Sequence, residues 1–208
     1  PVYFAGRPVD MQAIAELARQ QKLAVIEDAA HAIGSQYADG SMVGNCRYSD
    51  MTVFSFHPVK NMTTGEGGAI TTNDPELYSR LLALRSHGVT RDEKDLSQNP
   101  GPWYYEMQSL GYNYRMTDIQ AALGISQLKR LEQYKQRRLE IIAAYHEGLA
   151  ELAEGGVLTL PDRTNEKNIC FHLFVVKIDF AAMGISRAQV MQQLRQENIG
   201  TQVHYIPV

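Results

Sequence analysis

Apolar positions along the chain change their spacing several times, and each change marks an element. Met11, Ile14, Leu17 and Ala18 recur three or four residues apart behind Asp10, which predicts a capped helix to about Gln21. Leu23-Ala-Val-Ile26 is instead an unbroken apolar run. That is the pattern of a strand buried on both faces, and it places Glu27-Asp28 at the strand's carboxyl end. Met51 to Phe56 repeats the pattern. Gly68 to Thr72 follows after only a short loop, so it is expected to run antiparallel to its neighbour. Asn73-Asp74-Pro75 then opens a helix, with Asp as cap and Pro at the first helical position. Leu77, Leu81, Leu82 and Leu84 carry it to about Ser86.

From His87 to Met116 no period holds, and the stretch is rich in Gly, Pro, Asn and Tyr. A loop this long in a compact domain is usually functional or mobile. Thr117-Asp-Ile-Gln120 has capping-box form. Helical pattern continues from it almost to Ala153, long enough that a break is expected near Lys129. Ala153 to Asn168, with Gly155-Gly156 and Pro161, reads as a linker. Ile169 to Ile178 reads as a strand. Ser186-Arg-Ala-Gln189 opens a helix to about Asn198, and Thr201 to Tyr205 begins a last strand. Helix and buried strand in alternation predict an α/β fold with parallel pairing, followed by a small α+β domain. The expected division is 1–128 in the large domain, 129–153 as a connecting helix, and 154–208 in the small domain.

Composition narrows the class. With 208 residues, 44% apolar and 21% charged, the chain has the make-up of one large or two small globular domains. A net charge of −3 gives no basis for nucleic-acid or membrane-surface binding. No apolar run nears the roughly 18 residues of a membrane span. Cys46 and Cys170 stand without CxxC spacing, which fits a reduced, cytoplasmic setting. His31, His57, His172 and His204 lack ligand spacing, so no metal site is expected. The chain opens on Pro1 and stops at Tyr205-Ile-Pro-Val208 in mid-pattern, as a piece of a longer protein would.

Two residues suggest chemistry. Lys60 follows the strand from Met51 to Phe56, and Asp28 follows the one before it, so adjacent strands would bring both to one crevice. A lysine there can form a Schiff base with a carbonyl compound, and an acid opposite it can protonate the ring nitrogen of pyridoxal phosphate. On the residues alone, Lys60 reads better as a surface lysine beside a loop, and Asp28 reads equally as a turn former for Ala29 to Gly34. Ser55 could bond a phosphate or be satisfied by backbone. The turn with Thr63, Thr64, Gly65, Gly67 and Gly68 is a weak phosphate signal, and no GxGxxG or P-loop is present. Trp103, Tyr104, Tyr105, Tyr112 and Tyr114 read as packing under the long loop. Ile119, Leu123, Leu128 and Leu131 read as core or subunit contact.

Five segments stand together in order: Val25-Ile-Glu-Asp-Ala-Ala-His-Ala, Phe54-Ser-Phe-His-Pro-Val-Lys60, Gly65-Glu-Gly-Gly68, Leu84-Arg-Ser-His-Gly88, and Gly111-Tyr-Asn-Tyr-Arg-Met-Thr-Asp-Ile-Gln-Ala-Ala-Leu-Gly124. With them the chain resembles, over essentially its whole length, the nucleotide-sugar aminotransferases. These are the DegT/DnrJ/EryC/StrS group of fold-type I pyridoxal phosphate enzymes. The resemblance implies a three-layer α/β/α large domain, present in part, and an incomplete α+β domain. It also implies pyridoxal 5'-phosphate as cofactor and a homodimer with shared active sites.

His57-Pro-Val-Lys60, Thr63-Thr64 and Pro102-Trp-Tyr-Tyr-Glu-Met107 look most like the pseudaminic acid branch. Those enzymes aminate C4 of a UDP-linked 4-keto-6-deoxy-N-acetylhexosamine, UDP-2-acetamido-2,6-dideoxy-β-L-arabino-hex-4-ulose, with L-glutamate as donor. The UDP-4-keto-arabinose enzymes of lipid A modification share much of the pattern. A reading of another class is a non-catalytic piece that serves assembly only.

The resemblance implies a role for each matching position. Lys60 would hold the cofactor and then move the proton. Asp28 would pair with the pyridine nitrogen, and His31 would contact the ring where many relatives have Gln. Ser55 would bond the phosphate, as would Asn113 from a neighbouring subunit. His57, Arg115, His204, Tyr205 and Pro207 would lie near the sugar nucleotide. Family dehydratases carry a histidine in place of the lysine, so Lys60 favours transamination. The resemblance also implies a further N-terminal portion with several strands, a Gly-Thr or Gly-Ser phosphate turn and a ring-stacking aromatic.

Overall fold

The Asp10 carboxylate accepts the Ala13 N–H at 3.1 Å and caps helix α1, Met11–Gln21. In this computed structural model, which describes residues 1–206, the helix lays Met11 and Ala18 into the core. It stops at Lys22, whose left-handed backbone (φ 54°) turns its N–H back onto the Ala18 and Arg19 carbonyls.

Strand β1 is Ile26–Asp28, later than the apolar run predicts. Leu23 lies ahead of it, 62% exposed. Pairing sets the position. Ile26 stands opposite Met51 and Asp28 opposite Val53, while the Asp50 carboxylate takes the Val25 N–H at 2.7 Å just before the ladder starts. Nor is β1 buried on both faces: Glu27 is buried, and Ile26 and Asp28 are exposed. Strand β2, Met51–Ser55, lies at the centre of the sheet, parallel to β1 and antiparallel to β3, Gly68–Thr71. Parallel and antiparallel pairing both follow the sequence expectation. Thr52 and Phe54 alternate into the core with Glu27, against Tyr3, Val25, Tyr37 and Val43. Gly44 (φ 94°) lies under the Phe54 ring, where a Cβ would come within 2.6 Å of it.

Glu27 is fully buried and is met by hydroxyls from four segments. Tyr3 and Tyr37 donate to Oε2, Tyr37 at 2.5 Å. Ser49 and Thr52 donate to Oε1, Thr52 at 3.2 Å. Burial first, and the Glu27 carboxylate second, push both tyrosine hydroxyls far above the ordinary phenol range, so they remain donors.

Helix α2, Pro75–Arg85, starts where Asp74 accepts the N–H groups of Glu76 and Leu77 at 2.7 and 3.1 Å. The stretch after it contains only the short antiparallel pair β4, Val89–Thr90, and β5, Glu106–Met107. Helix α3, Asp118–Leu128, opens on the Thr117–Gln120 capping box. The predicted break falls at Lys129–Arg130, and α4 resumes at Leu131–Gly148, followed by α5, Ala150–Glu154.

Strand β6, Leu158–Thr159, pairs antiparallel with β7, Lys177–Ile178. The strand expected over Ile169–Ile178 therefore survives only at its end. Ile169 to Phe171 are apolar for another reason: with His172 they are buried, and the segment bonds to loops instead of a ladder. Cys170 N donates to Ser35 Oγ at 2.9 Å and His172 N to the Ala5 carbonyl at 2.9 Å. Helix α6, Phe180–Met183, and helix α7, Arg187–Gln196, the latter with its Ser186–Gln189 capping box, complete the described elements. Thr201 to Tyr205 pair with no strand among the described residues, and Thr201 to Val203 are exposed. Contacts divide the chain into one unit of Pro1–Ile141 with Thr164–Leu173, and a second of Ile142–Arg163 with the chain from Phe174 onward. No helix among the described residues is long and apolar enough to cross a membrane.

Candidate active site

Parallel pairing ends β1 and β2 on the same side of the sheet, Asp28 closing one and Ser55 the other. Asp28 is paired with Val53, and side chains two apart on a strand share a face, so Asp28 and Ser55 lie on one face and Glu27, Thr52 and Phe54 on the other. Beyond Ser55 the chain turns: Lys60 N donates to the His57 carbonyl at 3.0 Å. That turn returns Lys60 to the Asp28 side, close enough for the Asp28 charge to act on it. Desolvation of the half-buried amine is the larger influence and lowers its pKa, with Asp28 acting in the opposite direction.

The neighbouring backbone is held from several directions. Asn61 is buried, and its Nδ2 donates to the Cys170 carbonyl at 2.8 Å and lies 3.2 Å from Cys170 Sγ. The glycine turn is folded onto the end of β2. Thr63 Oγ1 donates to the Phe56 carbonyl at 2.9 Å, Thr64 Oγ1 to the Glu66 carbonyl at 2.7 Å, and Phe56 N to the Gly67 carbonyl at 2.8 Å. Gln120 Nε2, from the first turn of α3, reaches the Glu66 carbonyl at 3.0 Å.

Lys60, Asp28 and Ser55 are thus brought together. Asp28 is also the turn former that the residues alone allowed, since its Oδ1 accepts the Ala30 N–H at 3.0 Å. Ser55 Oγ accepts the His57 N–H at 3.4 Å. His31 lies on the turn after β1. Its Nδ1 accepts the Ala5 N–H at 3.3 Å, which assigns the neutral ring's proton to Nε2, and its ring packs 4.4 Å from that of His172. His57 is exposed and 3.7 Å from the Glu66 carboxylate. Asn113 is exposed and bridges to Ser86 beside the end of α2; Arg115 is exposed two residues on. His204 and Tyr205 belong to the second unit, and Pro207 lies outside the described residues.

Trp103 (69% exposed), Tyr105, Tyr112 and Tyr114 (73%) are not packed under the long loop, and Ile119 (84%), Leu123 and Leu128 are not core. Two residues were missed in the sequence. Asn61 gave no signal. Glu27 did: adjacent acids on a strand must point to opposite faces, so one of Glu27 and Asp28 had to enter the core.

The donor set suits pyridoxal phosphate. Among the described residues the Lys60 amine makes no hydrogen bond, and no acid oxygen lies within 4.0 Å of it. Asp28 Oδ2 likewise accepts nothing. An unpaired amine and an unpaired carboxylate oxygen on one face, with a hydroxyl at the neighbouring strand end, match an aldehyde, a ring nitrogen and a phosphate. No group of three or more His, Cys, Asp or Glu side chains that could hold a metal occurs among the described residues.

Comparison with known proteins agrees with this chemistry. The model of the DegT/DnrJ/EryC1/StrS aminotransferase family matches residues 1–208. The spore coat polysaccharide biosynthesis protein SpsC of Bacillus subtilis is 41% identical over 209 residues, covering 100% of this chain and 52% of SpsC. The structure of Helicobacter pylori PseC, an aminotransferase involved in the biosynthesis of pseudoaminic acid, superposes with a TM-score of 0.84. Its identity is 31%, over 99% of this chain and 52% of PseC. Streptococcus pneumoniae Spr1654, solved in a PLP-form, superposes with a TM-score of 0.81 at 30% identity, over 99% of this chain and 53% of that one. A PMP-form of the same protein matches equally well. The chain spans about half the length of the curated relatives it matches.

Proposed function

The chain belongs to the DegT/DnrJ/EryC1/StrS aminotransferase family, whose members depend on pyridoxal phosphate, and from that premise we propose that it forms the lysine side of the active site in a sugar-nucleotide aminotransferase. One observation carries this reading: Lys60, half-buried and unpaired, shares the carboxyl end of two parallel strands with Asp28. In the proposed reaction an amino group passes from L-glutamate to C4 of a UDP-linked 4-keto-6-deoxy-N-acetylhexosamine, as in pseudaminic acid biosynthesis. Cofactor, when bound, supplies an electron-withdrawing ring.

The chain's residues do the rest. Burial lowers the Lys60 pKa, which enlarges the neutral amine fraction needed both for attack on a carbonyl and for taking a proton at Nζ. Nζ would then deliver a proton to the sugar carbon that receives the amine. Asp28 Oδ2 would hold the ring nitrogen protonated. Ser55, with Asn113 of a second copy, would hold the phosphate, and His31 would lie beside the ring. His57 and Arg115 orient the sugar nucleotide. The shared site requires a homodimer, for which the exposed apolar side chains of α3 and the preceding loop supply surface. The setting is the cytoplasm, where the unbridged Cys46 and Cys170 remain reduced.

Adding pyridoxal phosphate to the intact protein is expected to raise a visible absorbance band, and Lys60→Ala to abolish it. An unchanged band in Lys60→Ala would overturn the assignment. The substrate is tested by offering the intact enzyme the acetylated hexosamine nucleotide beside UDP-4-keto-arabinose. A rate on the pentose at least as high as on the hexosamine would remove the pseudaminic acid reading and leave the lysine assignment standing.

A further inference from the structure

The proposed reaction uses Asp28 and leaves its neighbour unexplained. Glu27 has 0% exposure, and among the described residues no cation pairs with it. A buried carboxylate is tolerated only when its lone pairs are met, and here four hydroxyls meet them. Each hydroxyl has one proton to give. An ionised carboxylate, which only accepts, uses all four, whereas a protonated one would have to make one of them an acceptor. The four donors come from the chain before α1 (Tyr3), the loop after β1 (Tyr37), the lead into β2 (Ser49) and β2 itself (Thr52). They fix the roll of β1 about its own axis. That roll decides where Asp28 points, because adjacent residues on a strand face opposite ways. Besides the two tyrosines, the titratable groups around this pair of acids include Lys60 on the Asp28 side, Asp50 bonded to Val25 N, Cys46, whose Sγ lies 3.6 Å from Thr52 Oγ1, and Tyr48, whose ring packs on that of Tyr37.

We propose that Glu27 is a positioning residue for the cofactor. Held by its four hydroxyls, its buried carboxylate aims Asp28 at the ring nitrogen and places a second negative charge behind it, favouring the protonated ring. This rests on the reading of Asp28 and Lys60 above. The charge lies one residue from Asp28 in a water-poor setting, where Coulomb interaction over several ångströms is strong enough to move a titration by about half a pH unit or more.

The test uses intact protein, with pyridoxal phosphate as the probe, and reads the cofactor's dissociation constant and the pH midpoint of its visible band. Glu27→Gln, which keeps shape and removes charge, is expected to weaken binding about tenfold and to lower the midpoint by about half a unit. Tyr37→Phe removes one donor and keeps the charge. It is expected to weaken binding several-fold and leave the midpoint in place. Wild-type affinity and midpoint in Glu27→Gln, alongside a lowered melting temperature, would make Glu27 a fold residue and overturn the proposal. Asp28→Asn separates the two levels. If it too binds and titrates as wild type, the Asp28 reading itself fails; if Asp28→Asn is altered and Glu27→Gln is not, only the present inference fails. Should Glu27→Gln not fold, Tyr37→Phe and Ser49→Ala decide, and wild-type affinity in both would overturn it.

Discussion

An ammonium half-removed from water and left without a bonded partner costs stability, and Lys60 carries that cost. Its pKa in the folded chain lies below the ordinary 10.5. Between the two values the unfolded chain binds more protons, so stability rises with pH across that interval. Below it, the full cost applies. Lys60→Met in the cofactor-free protein is therefore expected to melt higher than wild type near pH 7.5, with the gain shrinking as pH approaches 10.5. Thermal scans across that range check it. A Lys60→Met protein that melts no higher at pH 7.5 would mean that the attraction of Asp28 outweighs burial. Neither Lys60's half-burial nor its lack of a partner could be read from the sequence, because both depend on how the turn from His57 folds back over the sheet.

At the scale of elements, helix starts were the most readable feature. Asp10, Asp74, Thr117 and Ser186 all cap as their side chains require, since a cap needs only groups within three residues. Strands were harder. β1 is placed by its pairing with β2 and not by Leu23-Ala-Val-Ile26, and Ile169–Phe171 spend the same apolar character on loops. The convergence of Asp28 and Lys60 was legible because each follows a strand; His31's bond to Ala5 and Asn61's to Cys170 were not, since they join segments distant in sequence.

The capping box of α3 does more than start a helix, because Gln120 also donates to Glu66 in the glycine turn. Thr117→Ala is expected to cost about 1 kcal/mol. Gln120→Ala is expected to cost more, since it loses the Thr117 N–H bond at 2.9 Å and the bridge to the turn. Urea unfolding of both variants measures the difference. A smaller loss for Gln120→Ala would mean that the bridge contributes nothing.

On the scale of the whole molecule, the first unit carries an apolar surface that its own core does not use, from Trp103 and Leu110 (78% exposed) to Ile119. Large exposed apolar groups gathered in one stretch are the mark of an interaction surface. In the proposed homodimer, burying side chains of this size stabilises by about 1.5–3 kcal/mol each. Ile119→Lys with Leu123→Lys is expected to weaken self-association of the intact protein at least about tenfold. Sedimentation velocity checks it, and an undisturbed dimer would move the contact elsewhere.

The anchoring of Asn61 by Cys170 has a consequence for the order of events during synthesis. The two residues are 109 apart in sequence, and the Ser35 partner of Cys170 is 135 away. At ribosomal speeds of about 5–20 residues per second, the lysine turn is translated about 5–20 seconds before its clamp. Until then the loops that Ile169 to His172 will fill stand open. Lys60 is made early, and its neighbour Asn61 is fastened late.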